Sequence, residues 1–268
     1  MCNVREYREL NELWRDYLEL AFQRGNNHKE NYVFRGVVDK DYNLKPSVGR
    51  GNIQKQTNND SSSLEDDLMR EFKRLAAPVL PHPPRTEMEW LFLAQHYGLP
   101  TRLLDWSTNP LVALYFAAEC CNDKDGAVYI VAPAFHDDYE NYDYKAADYT
   151  KEYLDFCGNY RIPISGERLG EVIFLRPKYT DPRYLNQKSV FSCPKNPFQS
   201  LEIPGIEKIQ FKGYLKSELR DRLRAMGISS SYIYPGLSGI ASEVKSTLFD
   251  PVQSSVRKMY PIKPFLDQ

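Results

Sequence analysis

Helical periodicity concentrated in the first half of the sequence, β-favouring runs in the second, and an apolar share suited to a packed core together predict an α+β fold. Hydrophobic residues fill 42% of the 268 positions and charged residues 26%, the balance of a globular chain rather than a disordered or membrane-embedded one. That length lies near the upper end of what one core supports, so a single domain over residues 1–268 is expected. Within it, residues 1–30 read as an N-terminal helical element, 51–63 as an exposed loop and 250–268 as a C-terminal arm.

The first element runs from about Glu6 to Arg24, where Leu10, Leu13, Trp14, Tyr17, Leu20 and Ala21 recur at helical spacing before Gly25 ends the run. Tyr32, Val33 and Phe34, continued by Val37 and Val38, form a β-favouring stretch that carries Arg35 beside Gly36, where a glycine permits close backbone approach. The polar stretch from Gly49 to Ser63 has no apolar period and reads as loop. Leu64, Leu68, Phe72, Leu75 and Ala76 mark a second helix with serines ahead of it as caps. Prolines from Pro78 to Pro84 break it, and a third helix from about Thr86 to Tyr97 stops at Gly98. Leu99 to Ser107 is extended or looped. Asn109 and Pro110 then open a fourth helix reaching Cys121, with proline in the first turn where its missing donor costs little. A strand-like GAVYIVAP follows from Gly126. Later candidate strands are 171–175, 189–193 and 206–211, and helices near 215–226 and 240–247 close the pattern.

A formal net charge of −1 excludes broad, non-specific attraction to phosphate backbones, so any nucleic-acid contact is expected to be local. The five cysteines lack paired metal-ligand spacing and read as reduced structural thiols. No leader-like or membrane-spanning apolar run is present, so the expected location is cytoplasmic, without a membrane partner.

Four segments stand out: FRG at 34–36, LKPSVGR at 44–50, QHYGLPTRLLDWSTNPLVALYFA at 95–117 and GISSSYIYPGLSGIA at 227–241. On these the chain resembles the FRG domain family, the long central block being the specific part. A more distant resemblance, to ADP-ribosyltransferases of the arginine-serine-glutamate type, rests on two elements. Phe34-Arg35-Gly36 is similar to their early aromatic-Arg-Gly strand, and Trp106-Ser107-Thr108-Asn109-Pro110 leading to Ala113-Leu114-Tyr115-Phe116-Ala117 is similar to their later strand and helix. This second resemblance implies a split β-sheet core with helices before and around it. It also implies NAD as substrate, no metal, and transfer of ADP-ribose to a macromolecular acceptor, RNA or DNA favoured over protein. A toxin of bacterial conflict or phage defence, silenced by an antitoxin or other regulatory protein, is the implied setting.

Chemistry alone supports several of these residues. Arg35 offers a planar, permanently charged fork suited to phosphate, and Gly36 gives a backbone that a carboxamide can approach; a structural ion pair beside a turn glycine is the alternative. Ser107 and Thr108 suit a brace for Arg35, a ribose contact or a helix N-cap. Tyr115 and Phe116 offer an aromatic wall for nicotinamide, Tyr115 preferred, yet both lie on an apolar helix face that also suits core packing. Gln95, His96, Arg102 and Asp105 flank the Gly98-Leu99-Pro100 turn and are expected beside Arg35, although Arg102 and Asp105 can equally pin the loop.

The resemblance further implies a glutamate that holds the nicotinamide ribose and orients the acceptor. The corresponding stretch, DPRYLNQKSVFSC, offers Gln187 instead. Asp105, Glu171, Glu202 and Glu243 are the other acids available, and Asp105 is preferred for its place in the central block. The expected site is therefore Arg35, Asp105 and Gln187 as catalytic groups, with Phe34, Gly36, His96, Arg102, Ser107, Thr108, Tyr115 and Phe116 binding NAD. The alternative is a non-catalytic nucleotide- or nucleic-acid-binding module built on the same polar cluster.

Overall fold

The computed structural model describes residues 3–25, 32–50, 61–84, 87–132, 139–142, 172–177, 181–194 and 196–249. Most of the expected loop at 51–63, the arm at 250–268 and the candidate acid Glu171 lie outside the described residues. The fold is α+β. Its sheet runs in the order β1 (Asn3–Tyr7), β8 (Glu207–Phe211), β4 (Gly126–Val131), β2 (Val33–Val37), β3 (Leu104–Ser107), β7 (Ser189–Pro194), β6 (Val172–Leu175), β5 (Tyr139–Tyr142). The outermost pair on each side is parallel and every pair between is antiparallel. Strands β4 and β7 are buried along their whole length, which is why GAVYIV and SVFSCP read as continuous apolar or small-residue runs without a polar face.

The helices are α1 (Leu10–Gly25), α2 (Ser47–Arg50), α3 (Ser61–Ala76), α4 (Glu87–His96), α5 (Pro110–Ala118), α6 (Pro182–Gln187), α7 (Lys216–Ala225), α8 (Ser230–Ile233) and α9 (Leu237–Val244). Helices α1, α5 and α7 cover one face of the sheet, burying Leu13, Tyr17, Leu114 and Leu219 against Phe34, Ile130 and Phe211. The other face gathers Val33, Val37, Trp106, Tyr129 and Phe174. A third cluster joins α4 and α6 to β6 and β7 through Met88, Phe92, Tyr184 and Phe191.

Helix α5 is the central strut. It is apolar on nearly every side, as a helix enclosed by protein must be. Asn109 caps it by accepting from the Leu111 N–H, Pro110 occupies its first turn, and the Tyr17 hydroxyl donates to the Pro110 carbonyl at 2.6 Å. At the far end Arg220 Nη1 donates to the Ala118 carbonyl, placing a cation where the helix dipole is negative.

Strand β2 follows β4 from Val33↔Val131 to Val37↔Ala127, and β3 follows β7 from Leu104↔Ser192 to Ser107↔Ser189. Between β2 and β3 there is one registered pair, Phe34↔Ser107. The two half-sheets therefore join at a point and fork apart beyond it.

Several elements differ from the sequence expectation. The N-terminal helix begins at Leu10 because Asn3–Tyr7 pairs in parallel with β8 as an edge strand, most of it exposed and without alternation to announce it. The extended segment before Ser107 is a strand over Leu104–Ser107. Helix α6 occupies part of the tract read only for its glutamine, started by an Asp181 cap and Pro182. The last helix, expected near 240–247, starts three residues earlier at Leu237 and continues past Val244 as a π-helical stretch over Lys245–Phe249. Among the described residues no helix is long and apolar enough to cross a membrane.

Candidate functional site

The fork between β2 and β3 opens into a cleft of about 260 Å³. Its walls are residues 34–38 of β2 and the segment after it, residues 105–107 of β3, Phe116 and Glu119 at the end of α5, and Arg183 and Gln187 of α6, with Tyr42 and Arg50 at the margin. Helix α5 and the forked strands thus bring residues distant in sequence to one place.

Arg35 spans the fork. Its Nη1 donates to the Asp105 backbone carbonyl, a group that regular pairing with β2 would otherwise engage, and lies 3.8 Å from Asp105 Oδ2. The arginine side chain is 13% exposed, the aspartate 56%. Desolvation lowers the Arg35 pKa while Asp105 opposes that shift, and a guanidinium remains charged in such a site. Its Nε is buried without a hydrogen-bond partner. Asp105 is steadied in turn by Gln95 Nε2 at 3.0 Å, and Gln95 by the Thr101 hydroxyl at 2.5 Å.

A carboxyl that sequence reasoning missed lies at the inner wall. Glu119 follows α5 directly, hydrogen-bonds with Tyr234, and has Arg183 and Arg220 nearby. Burial raises its carboxyl pKa above 4.5, against the pull of those three neighbours. Arg183 is held with its guanidinium 5.1 Å above the Tyr234 ring and Nη1 donating to the His96 carbonyl at 3.3 Å. The available signal was an acid immediately after an otherwise apolar helix. Sequence reasoning missed Arg183 and Arg50 as well; Arg50 ends LKPSVGR and is fixed by donation from Nε to the Lys45 carbonyl at 2.7 Å.

Of the expected residues, Phe34, Arg35, Gly36, Asp105, Ser107, Phe116 and Gln187 line the cleft. Their parts differ. Ser107 Oγ is already engaged, donating to the Gln187 carbonyl at 2.6 Å and accepting from the Asn109 N–H at 2.9 Å. Gln187 Nε2 donates to the Ile233 carbonyl at 3.1 Å. Phe34 is buried in the core against α5. Gly36 faces the α5 backbone, so its lack of a side chain serves strand–helix contact.

The remaining expected residues do not line the cleft. Tyr115 is buried in the core, hydrogen-bonded with Ser230, and Phe116 takes the wall position instead. Arg102 turns away from Arg35 and lies 1% exposed against Glu65 of α3, with Nε donating at 2.8 Å and the backbone N–H at 3.0 Å. Thr108 pairs through its N–H with the Lys188 carbonyl, and Asn109, not Ser107 or Thr108, caps α5. His96 packs against Tyr97 and Tyr184, 3.7 Å from Asp181. Of the alternative acids, Glu243 accepts from Ser229 Oγ and the Ser231 N–H, and Glu202 is exposed outside the cleft wall.

Residues 30–126 match the family model of the FRG domain. Over that span the chain is similar to the FRG domain. The matched span takes in Arg35, Arg50, Asp105, Phe116 and Glu119, so most of the cleft wall lies within it, while Arg183 and Gln187 come from beyond it. The segment at 227–241 also lies beyond the match. No curated protein and no solved structure matches the chain.

Proposed function

We propose that the FRG cleft binds the pyrophosphate of NAD and that the protein is an ADP-ribosyltransferase-like effector. The observation that carries this reading is the convergence of three guanidinium groups, Arg35, Arg50 and Arg183, on a cleft that also holds Phe116 and two carboxyls. Arginine forks match phosphate geometry, and the buried, unpartnered Arg35 Nε is a donor that a phosphate oxygen can take. Phe116 offers a flat face for the nicotinamide ring. The fork between β2 and β3 supports the split-sheet form of the fold.

In the reaction the bond between ribose C1′ and the nicotinamide nitrogen breaks. Its electron pair goes to nicotinamide, and positive charge develops on the ribose. Glu119 holds the ribose hydroxyl from the inner wall; the cationic nicotinamide beside it favours the ionised carboxylate, which then faces the developing charge. Asp105, at the exposed lip, anchors Arg35 and meets the incoming acceptor. The acceptor nucleophile closes the new bond at C1′ and gives up its proton. No step calls for a metal. That the acceptor is RNA or DNA before protein, and that an antitoxin-like partner restrains a toxin in phage defence, rests on the resemblance set out above.

A non-catalytic nucleotide-binding module is the second reading, favoured by a volume of about 260 Å³, under the roughly 300–1,000 Å³ typical of enclosing ligand sites. Incubation with labelled NAD and mixed RNA, DNA and lysate tests both. Nicotinamide release and label transfer, lost in Arg35→Ala and Glu119→Gln, are expected. Saturable ADP-ribose binding without turnover selects the second reading, and the absence of both turnover and binding rejects the cleft as a nucleotide site.

A further inference from the structure

Beyond α5 the chain reads Glu119, Cys120, Cys121, so the residue that carries the cleft carboxyl is joined by its backbone to two adjacent cysteines. Both cysteines are exposed, with Sγ atoms 3.1 Å apart. Cys121 has a left-handed backbone, φ 58°, an uncommon state outside glycine that turns the chain sharply. The fully buried Lys216 of α7 grips the same place: its Nζ donates to the carbonyls of Cys120 at 3.0 Å, Cys121 at 2.9 Å and Val38 at 2.6 Å. Val38 lines the cleft. The dithiol thus reaches the cleft by two routes, covalently through Glu119 and through the Lys216 ammonium to Val38, the residue after β2.

We propose that Cys120 and Cys121 are a modification site at which a hydroperoxide closes a reversible vicinal disulfide and reshapes the cleft around Glu119. The regulatory part rests on the cleft being the ligand site. One thiolate attacks the peroxide oxygen, giving a sulfenic acid and releasing an alcohol or water. The neighbouring thiol then displaces water from that sulfur, so the two sulfurs lose two electrons in total and the peroxide is reduced. Desolvation and the adjacent thiol push the Cys120 thiol up to about 11.

Neighbouring Cα atoms across a trans peptide are about 3.8 Å apart, below the roughly 4.4–6.8 Å span of ordinary disulfides. Closing this bond therefore strains the peptide between the cysteines and makes the product easily reduced, the property of labile rather than structural disulfides. Two of the three carbonyls that hold Lys216 belong to those residues. Turning them loosens the ammonium from Val38 and moves the attached Glu119.

The test treats the full chain with hydrogen peroxide, alkylates remaining thiols, and maps the peptide containing both cysteines by mass. Hydrogen exchange over residues 34–38 and 116–122 and ADP-ribose affinity are measured on the same samples. The expected product has lost two hydrogens, resists alkylation and reverts with dithiothreitol. Exchange rises in both segments, and ADP-ribose binds on the order of tenfold more weakly. Cys121→Ser abolishes all three changes. If both thiols stay open to alkylation, or the bond forms without altering exchange at 34–38 and 116–122, the proposal is overturned. If reduced protein fails to bind ADP-ribose, the nucleotide reading falls, while the exchange data still decide the switch.

Discussion

A β-carbon on Gly36 would sit 1.9 Å from the carbonyl oxygen of Ala113 and 2.6 Å from the Ala117 nitrogen. Both obstacles are helix backbone, which cannot move aside as a flexible side chain can. Gly36→Ala is expected to lower stability by about 2–3 kcal/mol, read as a shifted urea midpoint at unchanged slope. An unshifted midpoint would show that β2 and α5 can separate freely.

Arg35→Lys keeps the positive charge and removes the planar fork. ADP-ribose affinity in calorimetry is expected to fall on the order of 10-fold to 100-fold, because lysine cannot engage two phosphate oxygens and the Asp105 carbonyl together. Undiminished affinity would place the phosphates elsewhere.

Tyr115 and Phe116 are adjacent in sequence but not in role. Phe116→Ala is expected to weaken NAD binding by about 1 kcal/mol while leaving ADP-ribose binding nearly unchanged, since only the former carries the nicotinamide ring. Tyr115→Phe, in the core, is expected to change neither affinity. The reverse pattern would return the aromatic wall to Tyr115.

The raised pKa of Glu119 fixes the sign of a pH effect. Below 4.5 the carboxyl is protonated in both folded and unfolded chains. Between 4.5 and the higher folded value, the unfolded chain releases a proton that the folded one keeps, so this group makes stability fall as pH rises and then level off. Glu119→Gln lacks that slope. Its stability relative to wild type, followed by melting temperature, is expected to climb by about 1.4 kcal/mol for each pH unit between those two values. A difference independent of pH would mean the carboxyl is not desolvated.

Glu65 and Arg102 tie α3 to the segment leading into β3, the two side chains 5% and 1% exposed. Glu65→Gln removes a buried carboxylate from beside a buried guanidinium and is expected to cost about 3 kcal/mol in urea denaturation. Glu65→Leu with Arg102→Met is expected to recover much of that loss. A double variant no more stable than the single one would argue that the charges are needed for packing.

Much of this arrangement is legible in the amino-acid order, for identifiable reasons. Asn109-Pro110 announces the start of α5 because cap and proline act locally, and Arg35, Asp105 and Ser107 are legible as a group because they fall within the motif segments 34–36 and 95–117. What escapes is decided by distant partners. Nothing within NVREY reveals the parallel register with β8, and nothing around Arg102 indicates Glu65 on another helix. Sequence alone favours Tyr115 for the cleft wall, yet the packing of α5 against β2 puts it in the core and leaves Phe116 at the wall. Glu119 escapes notice because an acid at a helix end is commonplace until a tyrosine and two arginines from later segments surround it.

The point contact at Phe34 and Ser107 gives the molecule a mechanical joint. Each half-sheet has its own hydrogen-bonded ladder, so the angle between them is set by what bridges the gap, at present the reach of one arginine to one carbonyl. A guest lodged there would act as a rivet, and its presence would register as a sharper, more concerted melting of two halves that are otherwise free to loosen in turn.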